Sequence, residues 1–282
     1  MPDQPADQRG FLPDEAAAHY ASGYEAERLM GGGSRIELAR TQEIVLRYAP
    51  SPPAVVYDIG GGPGVYARWL AGLGYTVYLL DALPLHVEQA RRAAEQRPGA
   101  PLASATVGDA RRLPFADASG DLALLLGPLY HLTQRADRLA ALREARRVLR
   151  PGRLVFAAAI SRFASTLDGL RQGLYDDPDF AAIAARDVRE GQHRNPTNHP
   201  DYFTTAYFHH PDELRAEVED AGLIHMATLA VEGPAWLAQW VLDTWDDPVP
   251  RERVLATLRM IEAEPSLLGA SAHLLAVART PS

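Results

Sequence analysis

The stretch YDIGGGPG (57–64) sets four glycines and a proline directly behind an acidic residue, Asp58. Glycines at 60, 62 and 64 strip side chains from one short loop, so its backbone can take up positive φ and lie close to a ligand. Asp81 follows 21 residues after Gly60, and Asp109 stands in VGDARRLPF (107–115). Both are carboxylates able to accept hydrogen bonds from a sugar or a base. GPLYHL (127–132) supplies Tyr130 and His131. An imidazole has an unperturbed pKa of about 6.5, which suits general-base work. GQHRNPTNHPDYFTTAYFHH (191–210) carries His193, Arg194, Tyr202, Tyr207, His209 and His210, more functional side chains than a plain loop needs. The spacing of its histidines matches no zinc pattern, and Asn-Pro and His-Pro turns separate them, so no metal is expected there.

These residues need elements to hold them. AVVYDIG (54–60), YTVYLLD (75–81), ASATVGDA (103–110), DLALLLG (121–127) and RLVFAAAI (153–160) read as strands. Between them GVYARWLAGLG (64–74), LHVEQARRAAEQR (85–97) and ADRLAALREARRVLRPG (136–152) read as helices, the last stopped by Pro-Gly. Alternation at this pace predicts βαβ units, a parallel sheet covered on both faces, and right-handed crossovers. Ligands then bind at the carboxyl ends of the strands, where the glycine loop falls. Upstream, 14–30 and 35–49 carry helical patterns, with Leu38, Val45, Tyr48 and Ala49 sharing a face and Ile36 and Leu46 off it. Downstream, 161–186 and 211–223 are expected to be helical, and 225–233 and 271–280 to be strands. Trp236, Leu237 and Trp240, in a helical insertion between those strands, predict a core-facing stripe. No internal repeat or low-complexity linker interrupts the chain, so one domain with two insertions, 161–210 and 234–265, is the expected organisation.

Composition removes several chemistries. Among the 282 residues there is no Cys and no Lys: all 28 basic residues are Arg. A thiolate nucleophile, a Cys-ligated cluster, a Schiff-base lysine and a P-loop lysine are therefore excluded. The net charge of −8 argues against a long phosphate-backbone interface. No apolar run approaches the roughly 20 residues of a membrane span, and the acidic, Pro-rich start lacks an apolar signal region. A cytoplasmic protein is the expectation.

Glycine spacing bears on which nucleotide the loop holds. The dinucleotide fingerprint G-x-G-x-x-G needs its third glycine where Val65 stands. A shorter turn suits a ligand without a pyrophosphate, such as S-adenosylmethionine (SAM). VVYDIGGGPG (55–64), LLD (79–81), GDARRLPF (108–115), DLALLLGPLYHL (121–132) and REARRVLRPG (143–152) together resemble the class I SAM-dependent methyltransferases, in order and spacing, across about 110 residues. Pro63 stands where the family commonly has Thr.

The resemblance implies an α/β fold: a doubly wound, Rossmann-like, seven-stranded sheet, mostly parallel with one antiparallel C-terminal strand, with helical lid insertions. It places Asp58, Gly60, Gly62 and Gly64 around the methionine part of the cofactor and Asp81 on the ribose hydroxyls. Ala82 would lie on the adenine face, Asp109 and Ala110 at the adenine edge, and Leu126 and Gly127 beside the sulfonium. HYASGYEAERL (19–29) looks like the N-terminal helix that closes over SAM, bringing Tyr20, Tyr24 and Arg40 near it. Tyr130 and His131 would stand next to the transferred methyl group. His193, Arg194, Tyr202, Tyr207 and His209 would recognise the acceptor. The expected activity is methyl transfer to O or N of a small molecule, with S-adenosylhomocysteine as product, no nucleic acid or membrane partner, and a monomer or homodimer. An RNA or protein methyltransferase, a SAM-binding regulatory module without transfer, and a SAM-fold enzyme with another chemistry are the alternatives.

Overall fold

The computed structural model describes residues 15, 20, 25–29, 31–96, 99–197 and 199–282. Tyr24 lies outside the described residues. Five parallel strands form the centre: β1 (Val55–Ile59), β2 (Thr76–Asp81), β3 (Ser104–Val107), β4 (Gly120–Leu125) and β5 (Leu149–Ser161). Helices α2 (Val65–Gly72), α3 (Pro84–Glu95) and α5 (Arg135–Val148) cross between them, and α1 (Ser34–Tyr48) precedes β1. The one-turn α4 (Pro128–His131) follows β4. After β5 come α6 (Ala164–Gln172), α7 (Pro178–Glu190), a short hairpin of β6 (Gln192–His193) and β7 (Ala206–His209), and α8 (Pro211–Asp220). β8 (Ile224–Ala230), α9 (Gln239–Asp243), α10 (Pro248–Ile261) and β9 (His273–Arg279) complete the chain.

β9 runs antiparallel to β5 from Leu154↔Arg279 to Ile160↔His273, and β8 lies outside it, antiparallel to β9. The seven-stranded sheet is thus β3-β2-β1-β4-β5-β9-β8. Successive residues of β1 and β4 feed opposite cores. Tyr57, Ile59, Ala123 and Leu125 pack on α5 and α8, while Val56, Leu122 and Leu124 pack with residues of α1, α2 and α3. A sheet apolar on both faces is what a doubly wound fold requires.

Several expectations shift. The segment LRPG (149–152), read as the end of a helix, belongs to β5, with Leu149 pairing Gly120. The 187–210 segment is no plain loop: it finishes α7 and forms the β6–β7 hairpin. β7 pairs with β5 at Ile160↔Phe208 and Ser161↔His209, beyond the point where β4 leaves β5 at Leu125↔Ala157. It therefore continues β4's lane past the carboxyl end of that strand. Helix α1 buries Ile36 as well as Ile44 and Val45, because α9 and α10 cover its second side. The Trp236–Trp240 stripe does not form. The helix breaks at Ala238, Trp236 Nε1 donates to Ala270 O at 3.0 Å, and Trp240 is exposed.

Candidate cofactor and acceptor site

The loop after β1 wraps over the end of β2. Gly60 and Gly61 N–H donate to Leu80 O at 2.7 and 3.2 Å, and Gly62 N–H donates to Asp81 Oδ2 at 2.8 Å. Gly60 has φ +72°, and a Cβ there would stand 2.6 Å from Pro128 Cγ, so glycine is obligatory where this turn meets the loop after β4. At Gly62 (φ +55°) a Cβ would meet nothing nearer than Glu25 Cγ at 3.9 Å. Here the bare backbone leaves room for a ligand.

A cavity opens above these ends. Gly60, Gly62, Asp81, Ala82, Asp109, Ala110 and Gly127 line it, with Tyr20, Tyr130 and His131 on the side of the loop after β4. Ten of the residues expected at the site therefore share one enclosure. Glu25, Leu80, His86, Gly108, Pro128 and Leu132 complete the lining and were not foreseen. His86 had a signal in the sequence: it sits in the first turn of α3, five residues after Asp81.

Asp81 is held firmly. Its Oδ1 accepts from Leu83 N–H at 2.9 Å and from His86 Nδ1 at 3.0 Å. Asp109 accepts from the backbone N–H, Nε and Nη2 of Arg111 at 2.6–3.0 Å, so this cavity carboxylate is also an ion-pair partner. Tyr20 Oη lies 2.9 Å from His131 Nε2, and its ring meets His86 and His131 edge-on at 5.6 and 5.2 Å. Tyr130 donates to Leu126 O at 3.1 Å, and burial raises its pKa well above the ordinary phenol value. With its hydroxyl proton engaged by that carbonyl, the phenol forms part of the cavity wall.

Four cofactor expectations fall outside the lining. Arg40 is fully buried and committed to Glu43 at 2.7 Å, to Glu262 and to Val231 O, which ties α1 to the C-terminal insertion. Asp58 lies beneath the glycine turn; burial first, then the charge of Asp81, pushes its pKa up to about 7. Gly64 begins α2 against Ala90 and Leu79, and Leu126 offers its carbonyl to Tyr130.

None of the five acceptor-recognition residues reaches the cavity. His193 is buried between Asp187 (2.8 Å) and Tyr202 O (2.7 Å). Arg194 bonds His193 O, Ala206 O and Gln192, and Tyr202 donates to Asp177 at 2.6 Å. Tyr207 carries the Arg138 guanidinium 3.7 Å over its ring and donates to Glu213. His209 bonds Glu217 at 3.2 Å. These side chains build the hairpin and its seat. The hairpin then acts from behind, since Ala206 and Phe208 pack with Ile160 against Tyr130 and so brace α4.

At the rim, Arg28 bonds Glu25 at 2.8 Å and both oxygens of Glu37, at 2.7 and 3.1 Å. Beyond it Glu232 holds His273 Nδ1 at 2.6 Å. Burial by itself would depress His273, but Glu37 and Glu232 hold its pKa up at about 9. Ligand atoms of Glu37, Glu232 and His273 lie within 4.8 Å of one another. The Arg28 guanidinium and the charged imidazole make this cluster an ion-pair network.

Residues 57–157 match the family model of the methyltransferase domain. Residues of this chain are 32% identical over 154 positions to the ubiquinone/menaquinone biosynthesis C-methyltransferase UbiE of Acidiphilium cryptum, covering 54% of this chain and 59% of that protein. They are 38% identical over 113 positions to the malonyl-[acyl-carrier protein] O-methyltransferase of Methylococcus capsulatus, 40% of each chain. The chain thus spans about half the length of the curated relatives it matches. The crystal structure of a SAM-dependent methyltransferase from Methanosarcina mazei shares the fold at a TM-score of 0.56 and 19% identity, over 84% of this chain and 97% of that one. Over residues 57–157 the chain is thus similar to a methyltransferase domain, and the structural neighbour is a SAM-dependent enzyme.

The residues present fit SAM. Gly62 leaves open space, and among the described residues Asp81 Oδ2 carries only one donor and His86 Nε2 is buried without a partner. No helix among the described residues is long and apolar enough to cross a membrane.

Proposed function

We propose that this protein transfers a methyl group from SAM to an O or N atom of a small molecule. The observation that carries the reading is the single enclosure that joins the glycine turn and Asp81 to Tyr20 and His131. When bound, SAM supplies a methyl group activated on a sulfonium. An acceptor lone pair would take that methyl as the carbon–sulfur electron pair left with sulfur, so the chain's part is to hold the two in line. The glycine turn and Asp81 hold the nucleoside side, and positioning of this kind is the main catalytic resource of such a displacement. His131 is assigned the proton of a protonated acceptor, a role supported by its place in the cavity wall and by the Tyr20 hydroxyl 2.9 Å from Nε2, which orients the ring. Tyr130 limits the acceptor's size, and the rigid hairpin behind it keeps that wall in place. The net charge of −8 favours a small acceptor over a nucleic acid.

The first test is thermal unfolding with S-adenosylhomocysteine, SAM or NAD, on wild type and Asp81→Ala. Ligand at 100 times Kd adds about 2.7 kcal/mol, and at roughly 2–4 °C per kcal/mol the melting point rises by about 5–10 °C. Both sulfur ligands are expected to raise it, NAD to leave it unchanged, and Asp81→Ala to lose most of the rise. A shift with NAD alone would end the reading. Transfer from SAM carrying a ¹³C methyl group, followed by NMR of the product, then separates O- and N-methylation from methylation at carbon.

A further inference from the structure

Asp81 has less to offer a ribose than its position suggests. A carboxylate presents about four lone-pair sites, two on each oxygen. Oδ1 already carries Leu83 N–H and His86 Nδ1–H, and Oδ2 carries Gly62 N–H. One acceptor site remains, whereas a ribose diol brings two hydroxyl donors into the cavity. Leaving one of them buried without a partner is costly.

The missing acceptor stands beside Asp81. His86 is 4% exposed and lines the same cavity, and its Nε2 is buried with no hydrogen-bond partner among the described residues. A carboxylate oxygen only accepts, so Nδ1 carries a proton toward Asp81, which leaves Nε2 as the nitrogen whose lone pair an uncharged ring offers a donor. The ring is also held in place, by Asp81 at Nδ1 and by the Tyr20 ring edge at 5.6 Å. The geometry points to His86 as a second ribose acceptor: Asp81 Oδ2 takes one hydroxyl of the cofactor and His86 Nε2 the other. The inference rests on the cofactor reading above and assigns a binding role that the glycine and acidic motifs do not contain.

The test is titration calorimetry of the full-length protein with S-adenosylhomocysteine and its 2′-deoxy and 3′-deoxy analogues. His86→Asn keeps a donor toward Asp81 at the place of Nδ1 and removes the Nε2 acceptor; His86→Gln keeps an acceptor at the reach of Nε2. The expected result is about tenfold weaker binding of S-adenosylhomocysteine to His86→Asn, with binding by His86→Gln within about threefold of wild type. One of the two deoxy analogues should bind wild type and His86→Asn equally, because the hydroxyl that met Nε2 is gone. Equal losses by His86→Asn on all three ligands would overturn the assignment and leave His86 as packing. Unchanged affinity in His86→Asn would overturn it too. Wild type failing to bind S-adenosylhomocysteine would defeat the cofactor reading itself, which a loss confined to the variants does not. Melting curves of the unliganded variants establish that each is folded before titration.

Discussion

Replacing Asp58 by Asn should flatten the pH dependence of stability. Asp58 is 1% exposed beneath the glycine turn, and neither of its oxygens meets a full hydrogen-bond donor. Burial and the nearby Asp81 carboxylate raise its folded pKa from 3.8 to about 7. A pKa raised on folding adds stability that is complete below the unfolded pKa and is lost as pH rises through the folded one. Over about three units at 1.36 kcal/mol each, wild type loses about 4 kcal/mol between pH 4 and pH 7 through this residue. An amide side chain cannot ionise, so the Asp58→Asn variant does not pay that cost. Buried amide hydrogens impose their own penalty, but it is constant with pH and cancels in the comparison. Urea unfolding of both proteins from pH 4 to 8.5 should therefore give two curves that diverge in favour of the variant by about 4 kcal/mol. In melting temperature the divergence is about 10 °C. Two curves that run parallel across that range would refute the account of Asp58 as a buried carboxylate held against its ionisation.

Two other buried charges have opposite signs. His273, a fifth exposed, is held protonated to about pH 9 by Glu37 and Glu232, so His273→Gln should cost about 2 kcal/mol near pH 6. That cost should vanish by pH 10, and a cost that persists there would show the residue acting through packing alone. Glu217 is buried against Arg138 at 2.7 Å and His209, and its pKa lies at about 2 despite burial. Glu217→Gln leaves the Arg138 guanidinium without its carboxylate and should destabilise by about 3–5 kcal/mol above pH 4.5. The deficit should shrink as pH falls toward 2, where wild type protonates too; melting curves at pH 3 and pH 7 check the direction. Little destabilisation at pH 7 would mean that water reaches the pair.

The binding half of the site was legible in the chain because it is local. A glycine turn, a strand-end acid and a βαβ alternation are each written within a few residues. Backbone sterics and side-chain period convert them into a fold with little further choice. Glycines 60, 62 and 64, Asp81 and Asp109 are all found in the turn or at the strand ends, as their spacing predicts. His86 belongs to the same local run yet reads as one more residue of α3. Only the folded structure shows one of its nitrogens engaged by Asp81 and the ring in the wall of the cavity.

Tertiary structure decided the rest. The polar segment 191–210 has the composition of a recognition loop, but composition does not say which way a side chain faces. Once β7 pairs with β5, His193, Tyr207 and His209 turn to Asp187, Glu213 and Glu217. Arg40 shows the same limit, since its partner Glu262 is 222 residues away in sequence. The sequence by itself determined the sheet, the turn and the acid at the end of β2, because each depends on neighbours along the chain. Which polar groups are engaged in holding the fold, and which are left facing the cavity, depends on neighbours in space. A buried polar group must be paired wherever a partner exists, and only packing brings those partners together.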